Sequence, residues 1–223
     1  KIISLFNHIS KTNKLKSILG NKFITKLNFE KEWGLGSSST FVNNLAKWAN
    51  IDPYKLLFST FKGSGYDIAC CDVNYPIIYN KMGNSINVKK VDFNPPFIEH
   101  LFLIYLGKKQ NTQNSIENYS KSQFNKDGLI KKINRISDEF LKCNDLIHFE
   151  ELMKEHESII SKAISINPIQ KSTFTGYKGG RIKSLGSWGG DFILVTTKNK
   201  DLTYFKNRGL NTIFPLKEMV YIN

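Results

Sequence analysis

Gly34-Leu35-Gly36-Ser37-Ser38-Ser39-Thr40 runs directly into Phe41-Val42-Asn43-Asn44-Leu45-Ala46-Lys47-Trp48-Ala49. The second stretch spaces Val42, Leu45, Ala46 and Ala49 as one face of a helix. The first is therefore a glycine-rich loop at a helix N-terminus. That combination suits an anion, because glycines let backbone N–H groups approach a phosphate and the helix dipole adds its positive end. The serine hydroxyls can donate to phosphate oxygens or coordinate Mg²⁺. The loop is not a GxxxxGK[ST] phosphate loop, nor a strand-anchored GxGxxG. Taken alone it reads equally well as a serine cap behind a flexible entry.

Two further glycine segments lie downstream. Gly63-Ser64-Gly65-Tyr66-Asp67 places a carboxylate just past a tight turn, where it can orient or deprotonate a hydroxyl. An ordinary turn followed by a capping Asp is the plain structural reading. Lys183-Ser184-Leu185-Gly186-Ser187-Trp188-Gly189-Gly190-Asp191 leads into a strand and by itself reads as a hairpin turn.

Around these segments the spacing predicts helices over 1–19, from Asp52-Pro53 to about Phe61, over 113–142, over 144–165 and near 201–208. Strands are predicted at Asn21–Phe29, Tyr75–Asn80, Ile86–Phe93, His100–Leu106, Arg181–Leu185, Asp191–Thr197 and near 211–216. Pro95-Pro96 interrupts regular structure and sets the expected domain boundary, 1–94 and 95–223. Helices and strands mix without a βαβ beat, so the expected class is α+β.

The 223 residues carry 32 Lys plus Arg against 19 Asp plus Glu, a net charge of +13. A basic chain suggests a polyanionic partner. Yet 29 of those cations are Lys and three are Arg, whereas base and phosphate readers favour Arg. The lysines are scattered, and 23 Asn accompany them. Nucleic-acid binding is disfavoured on these grounds, and a solvated lysine surface is expected. Cys70, Cys71 and Cys143 form no CxxC pair and no disulfide framework, which suits a reducing cytoplasm. His8, His100, His148 and His156 lie at no zinc-ligand spacing with them. No apolar run is long enough to span a membrane, and no signal-peptide pattern opens the chain.

In this order the three glycine segments resemble the GHMP kinase superfamily. Gly34–Ser39 looks like its second motif, the GLGSS[AGS] phosphate loop. Gly63–Asp67 looks like the GSGxD segment that bears the catalytic aspartate. Gly186–Asp191 looks like the third, glycine-rich motif. The likeness is nearest to the phosphomevalonate- and mevalonate-kinase-like branch, and Gly65-Tyr66-Asp67-Ile68-Ala69 is similar to the bacterial GYDIA subgroup.

The resemblance implies an ATP- and Mg²⁺-dependent kinase acting on a hydroxyl or phosphate of a small metabolite. It implies two domains, one like domain 2 of ribosomal protein S5, here incomplete, and a ferredoxin-like C-terminal one. Gly34, Leu35, Gly36, Ser37, Ser38, Ser39 and Thr40 would hold the triphosphate, with Gly186, Ser187, Gly189 and Gly190 beside them. Ser38 would contact Mg²⁺, and Asp67 would be the base. Lys62 would neutralise phosphate charge, and Lys109 and Thr112 lie in a segment similar to the one that contacts the substrate's anionic end.

Two departures stand out. Leu56, Leu57 and Phe58 occupy the region where mevalonate kinases carry a Mg²⁺-binding Glu, a residue that phosphomevalonate kinases also lack. The family's first motif should precede Lys1, and the chain does not start with Met, so the sequence is expected to be part of a longer protein. Two competing readings remain: a non-catalytic relative that binds an anionic metabolite, and a nucleic-acid-binding module.

Overall fold

The computed structural model describes residues 2–12, 20–61, 63–107, 126–186 and 191–221. The chain divides into two compact units. The first comprises Lys1–Lys31 and Leu35–Val91, the second Glu32–Gly34 and Asp92–Asn223.

The first unit is built on helices α1 (Ile2–Thr12), α2 (Ser37–Ala49), α3 (Pro53–Thr60) and α4 (Tyr66–Cys70). Each turns an apolar stripe inward: Leu5 and Ile9, then Val42, Leu45, Ala46 and Ala49, then Leu56 and Leu57, then Ile68. Fully burying each Leu or Ile contributes roughly 1.5–3 kcal/mol. As the sequence predicts, Asp52 caps α3, its Oδ1 accepting from the Lys55 N–H at 2.9 Å, with Pro53 at the first helical position. Strands β1 (Ile77–Met82) and β2 (Ser85–Lys90) form an antiparallel hairpin, Ile77 opposite Lys90 and Met82 opposite Ser85.

The strand expected at Asn21–Phe29 does not form. A period of two makes a strand only where an edge is free to pair, and this segment joins no sheet. Phe23 packs instead against Phe6 and Trp48, with ring centroids 5.0 and 4.9 Å apart.

The second unit centres on an antiparallel four-stranded sheet. Strands β3 (Leu101–Tyr105), β4 (Ile182–Ser184), β5 (Phe192–Thr196) and β6 (Ile213–Pro215) lie in the order β4-β5-β3-β6. Side chains alternate across it. Leu101, Leu103, Phe192 and Leu194 meet Ile136, Phe149, Leu152 and Met153 of α5 (Lys126–Lys142) and α6 (Leu146–Ile164). Ile104, Ile193 and Val195 face the other way, onto Phe174, Tyr177 and Phe205. Both faces are covered, so β3 and β5 read as unbroken apolar runs rather than alternating ones. Short helices α7 (Ile169–Ser172), α8 (Thr203–Lys206) and α9 (Leu216–Met219) complete the unit. The first and last of these are not foreseen in the sequence, since four residues are too few to show a helical period.

Candidate active site

In the first unit the loop ends where α2 begins. Gly36 is the N-cap, with φ 72° and ψ 22°, a left-handed conformation that favours glycine. Being glycine, it offers no side chain to the first-turn N–H groups. The Thr40 N–H and hydroxyl both return to the Gly36 carbonyl, at 3.0 and 3.2 Å, and fix the start of the helix. Ser38 is exposed, while Ser37, Ser39 and Thr40 are partly buried. The end of a thirteen-residue helix thus presents backbone donors and hydroxyls without a cap of its own.

Asp67 stands beside this helix end. A Cβ built on Gly36 would lie 3.4–3.5 Å from its carboxyl group. The sequence places Asp67 outside any regular element. It lies instead in the first turn of α4, which starts at Gly65 with φ 88°. Gly65 is buried under two rings, and a Cβ there would sit 3.0 Å from Phe58 and 3.3 Å from Tyr54. The Tyr79 hydroxyl, from β1, donates to the Ser64 carbonyl at 2.6 Å and pins the turn from outside. Burial raises the pKa of Asp67, while hydrogen bonding from the Tyr66 and Ser39 side chains pulls it back. Five residues on, Asp72 is held by Lys47 and by the Asn43 amide at 3.0 Å, and the Lys47 bond lowers its pKa. Among the described residues no cation forms an ion pair with Asp67. Two carboxylates on one stretch of chain thus have opposite surroundings.

The loop's first glycine belongs to the second unit. Trp33 anchors it there, its ring 5.2 Å from Phe214 and 6.0 Å from Phe192, and the Tyr105 hydroxyl donates to the Glu32 carbonyl at 3.2 Å. Gly34 has φ 69°, and the Asp191 side chain fills the space where a Cβ would go, with the Asp191 Cβ 3.0 Å from that position. Gly186, with φ 62°, faces the same carboxylate at 3.9 Å. Two of the three glycine segments therefore meet at Gly34, Gly186 and Asp191. Ser187, Gly189, Gly190, Lys62, Lys109 and Thr112 lie outside the described residues.

Sequence reading gave no role to Asp191 or Tyr79. Asp191 closes the third glycine segment, a signal that was present. Tyr79 carries no local mark, because its partner is a backbone carbonyl on another element.

No family model matches the chain, and no curated protein matches it. Solved structures do. The Lin0012 protein from Listeria innocua has a TM-score of 0.61 at 19% identity, covering 82% of this chain and 66% of its own. L. major mevalonate kinase, solved in complex with R-mevalonate, has a TM-score of 0.53 at 14% identity, over 82% of this chain and 64% of its own. A further mevalonate kinase structure gives 0.53 at 20% identity, over 84% and 65%. The fold is GHMP-kinase-like, as the glycine segments imply. The chain spans just under two thirds of the length of these structures. Among the described residues no helix is long and apolar enough to cross a membrane, and no three His, Cys, Asp or Glu side chains are grouped to hold a metal.

Proposed function

We propose that this chain carries the phosphate loop and catalytic carboxylate of an ATP-dependent small-molecule kinase of the GHMP type, one that phosphorylates a hydroxyl or a phosphate of its acceptor. The observation that carries this reading is the Asp67 carboxylate beside the left-handed Gly36, at the uncapped end of α2. ATP supplies the phosphoryl group. Gly34 to Thr40 hold its phosphates through backbone N–H groups, and Gly186, Ser187, Gly189 and Gly190 are assigned to the same phosphates. The Ser38 hydroxyl, an oxygen donor exposed at this helix end, suits a hard cation such as Mg²⁺. Lys62, Lys109 and Thr112 serve the anionic parts of the bound molecules.

Phosphoryl transfer asks the protein mainly for positioning and charge. Asp67 orients the acceptor hydroxyl and takes its proton, and burial strengthens its hold on that proton. The rings of Tyr54 and Phe58 and the Tyr79 bond fix the turn that aims it. Mevalonate and phosphomevalonate are the first acceptors to test, since mevalonate kinases share the fold.

The test is Asp67→Asn in the protein that contains this chain. Turnover should fall by about 10²- to 10⁴-fold, the usual weight of a general base, with ATP affinity near wild type. Turnover within a few-fold of wild type would remove the base assignment. Loss of ATP binding along with turnover would make Asp67 a support of the loop or the metal. No ATP consumption with any acceptor would leave the binding-protein reading.

A further inference from the structure

A cavity lies wholly within the second unit, lined by residues that run up to the start of the third glycine segment. It has a volume of about 480 Å³ and is partly open to solvent. Lys154 of α6, Lys171 of α7, and Lys178 and Arg181 of the following loop all line it. A cavity of this size takes a small molecule rather than a lone ion.

The charge is not balanced from inside the protein. Among the described residues, Lys47 pairs with Asp72, Arg135 with Glu139 and Glu155, and Lys200 and Lys217 with Glu99, while most other surface lysines, Lys198 and Lys206 included, form no ion pair. None of the four cavity cations forms such a pair. Glu157 is the one carboxylate in the lining, and it is turned to other uses. It is buried, and it accepts from the Ser184 N–H at 3.2 Å and the Ser184 hydroxyl at 3.5 Å. Like charges brought together repel, and a cluster left unpaired is stabilised by an anion between them.

The wall is also braced before anything binds. The Gln170 amide donates to the Gly180 carbonyl and accepts from the Ile182 N–H, both at 3.1 Å, and so fastens α7 to the start of β4. The buried Tyr177 hydroxyl donates to the Thr196 carbonyl at 2.6 Å. The Arg181 N–H donates to the Thr196 hydroxyl at 2.7 Å, and that hydroxyl in turn donates to the buried Glu150 at 2.5 Å. Gly180 lies so close to Thr196 that no side chain fits there. These bonds set the loop that carries Lys178 and Arg181 without ordering by a ligand, which lowers the cost of binding.

We infer that the cavity between α6, α7 and the 175–182 loop is a binding site for a small molecule bearing phosphate groups, set by Lys154, Lys171, Lys178 and Arg181. The site shares no residue with the proposed phosphate loop and stands whether or not that reading holds.

Inorganic pyrophosphate is the probe, and the readout must report place as well as affinity. Mass spectrometry after brief amine acetylation should show Lys154, Lys171 and Lys178 protected by pyrophosphate, with Lys198 and Lys206 unprotected. Calorimetry should give a second binding event that persists in Gly36→Val. In the triple variant K154Q/K171Q/K178Q, whose changes lie on exposed side chains, this event should weaken at least tenfold while the far-ultraviolet spectrum stays that of wild type. Equal protection of all five lysines, or an unchanged second event in the triple variant, would overturn the site. Displacement of pyrophosphate by a short RNA that leaves all five lysines equally protected would also overturn it, in favour of diffuse polyanion binding.

Discussion

Gly34 and Gly36 stand two residues apart, have φ of 69° and 72°, and each lies against an aspartate. They are glycine for different reasons. At Gly34 the Asp191 side chain occupies the place of a Cβ, so the position is closed by packing as well as by backbone conformation. At Gly36 a Cβ would touch Asp67 at an ordinary 3.4–3.5 Å, so only the left-handed backbone excludes other residues. The difference separates a joint that holds the fold from a gap kept open beside a carboxylate. One loop carries both, and a sequence motif does not distinguish them.

That contrast can be tested by substitution. Gly34→Ala should be the costliest change, roughly 2–4 kcal/mol of unfolding free energy, since it adds both a clash and a strained backbone. Pairing it with Asp191→Ala removes the two nearest clashing atoms. Chemical denaturation should then show the double variant more stable than additivity allows. Strict additivity would mean that Asp191 does not fill that space.

Asp67→Asn should act in the opposite direction on stability, by less than Gly34→Ala. The folded pKa of Asp67 is raised above the ordinary 3.8, chiefly by burial. A carboxyl with a raised folded pKa binds its proton more tightly in the native state. Its contribution to stability is fully present below the unfolded value and is lost as pH rises through the folded value. At neutral pH the charged carboxylate therefore weakens the fold, and Asn relieves it. Melting curves should show Asp67→Asn above wild type at pH 7, with the gap closing towards pH 3. A variant that melts lower at pH 7 would show that Asp67 is a structural cap.

Gly36→Ala should cost only about 1 kcal/mol, the strain of a left-handed alanine, with no coupling to the Asp191 variants. A loss as large as that of Gly34→Ala would erase the contrast. Smallest of all, Tyr79→Phe should cost about 0.5–1.5 kcal/mol by leaving the Ser64 carbonyl to water. Turnover should fall more than stability if the turn it pins aims Asp67.

Much of this was legible in the chain. The α2 face, the Asp52-Pro53 start of α3 and the apolar runs of β3 and β5 follow from local spacing, because each element buries what its own period presents. The three glycine segments pointed to the fold that the solved structures share. What was hidden depends on distant partners. The segment Asn21–Phe29 has a strand's alternation but pairs with no sheet. Helix α4 has five residues, too few to nucleate alone, and it exists because Gly65 turns under Tyr54 and Phe58. The meeting of Gly34 with Asp191 joins residues far apart along the chain, and no local window contains both.

The placement of Asp67 on α4 also limits which changes in chain length can survive. Each residue of a helix turns the next side chain by about 100°. An insertion or deletion between Gly65 and Asp67 would swing the carboxylate a quarter turn or more from Gly36, however well the rest of the chain folded. A Cβ at Gly63 or Gly83 would meet nothing within 4 Å, so changes at these turns disturb less packing than changes within α4. Natural variation in this region should therefore gather on either side of a short segment whose residue count does not change.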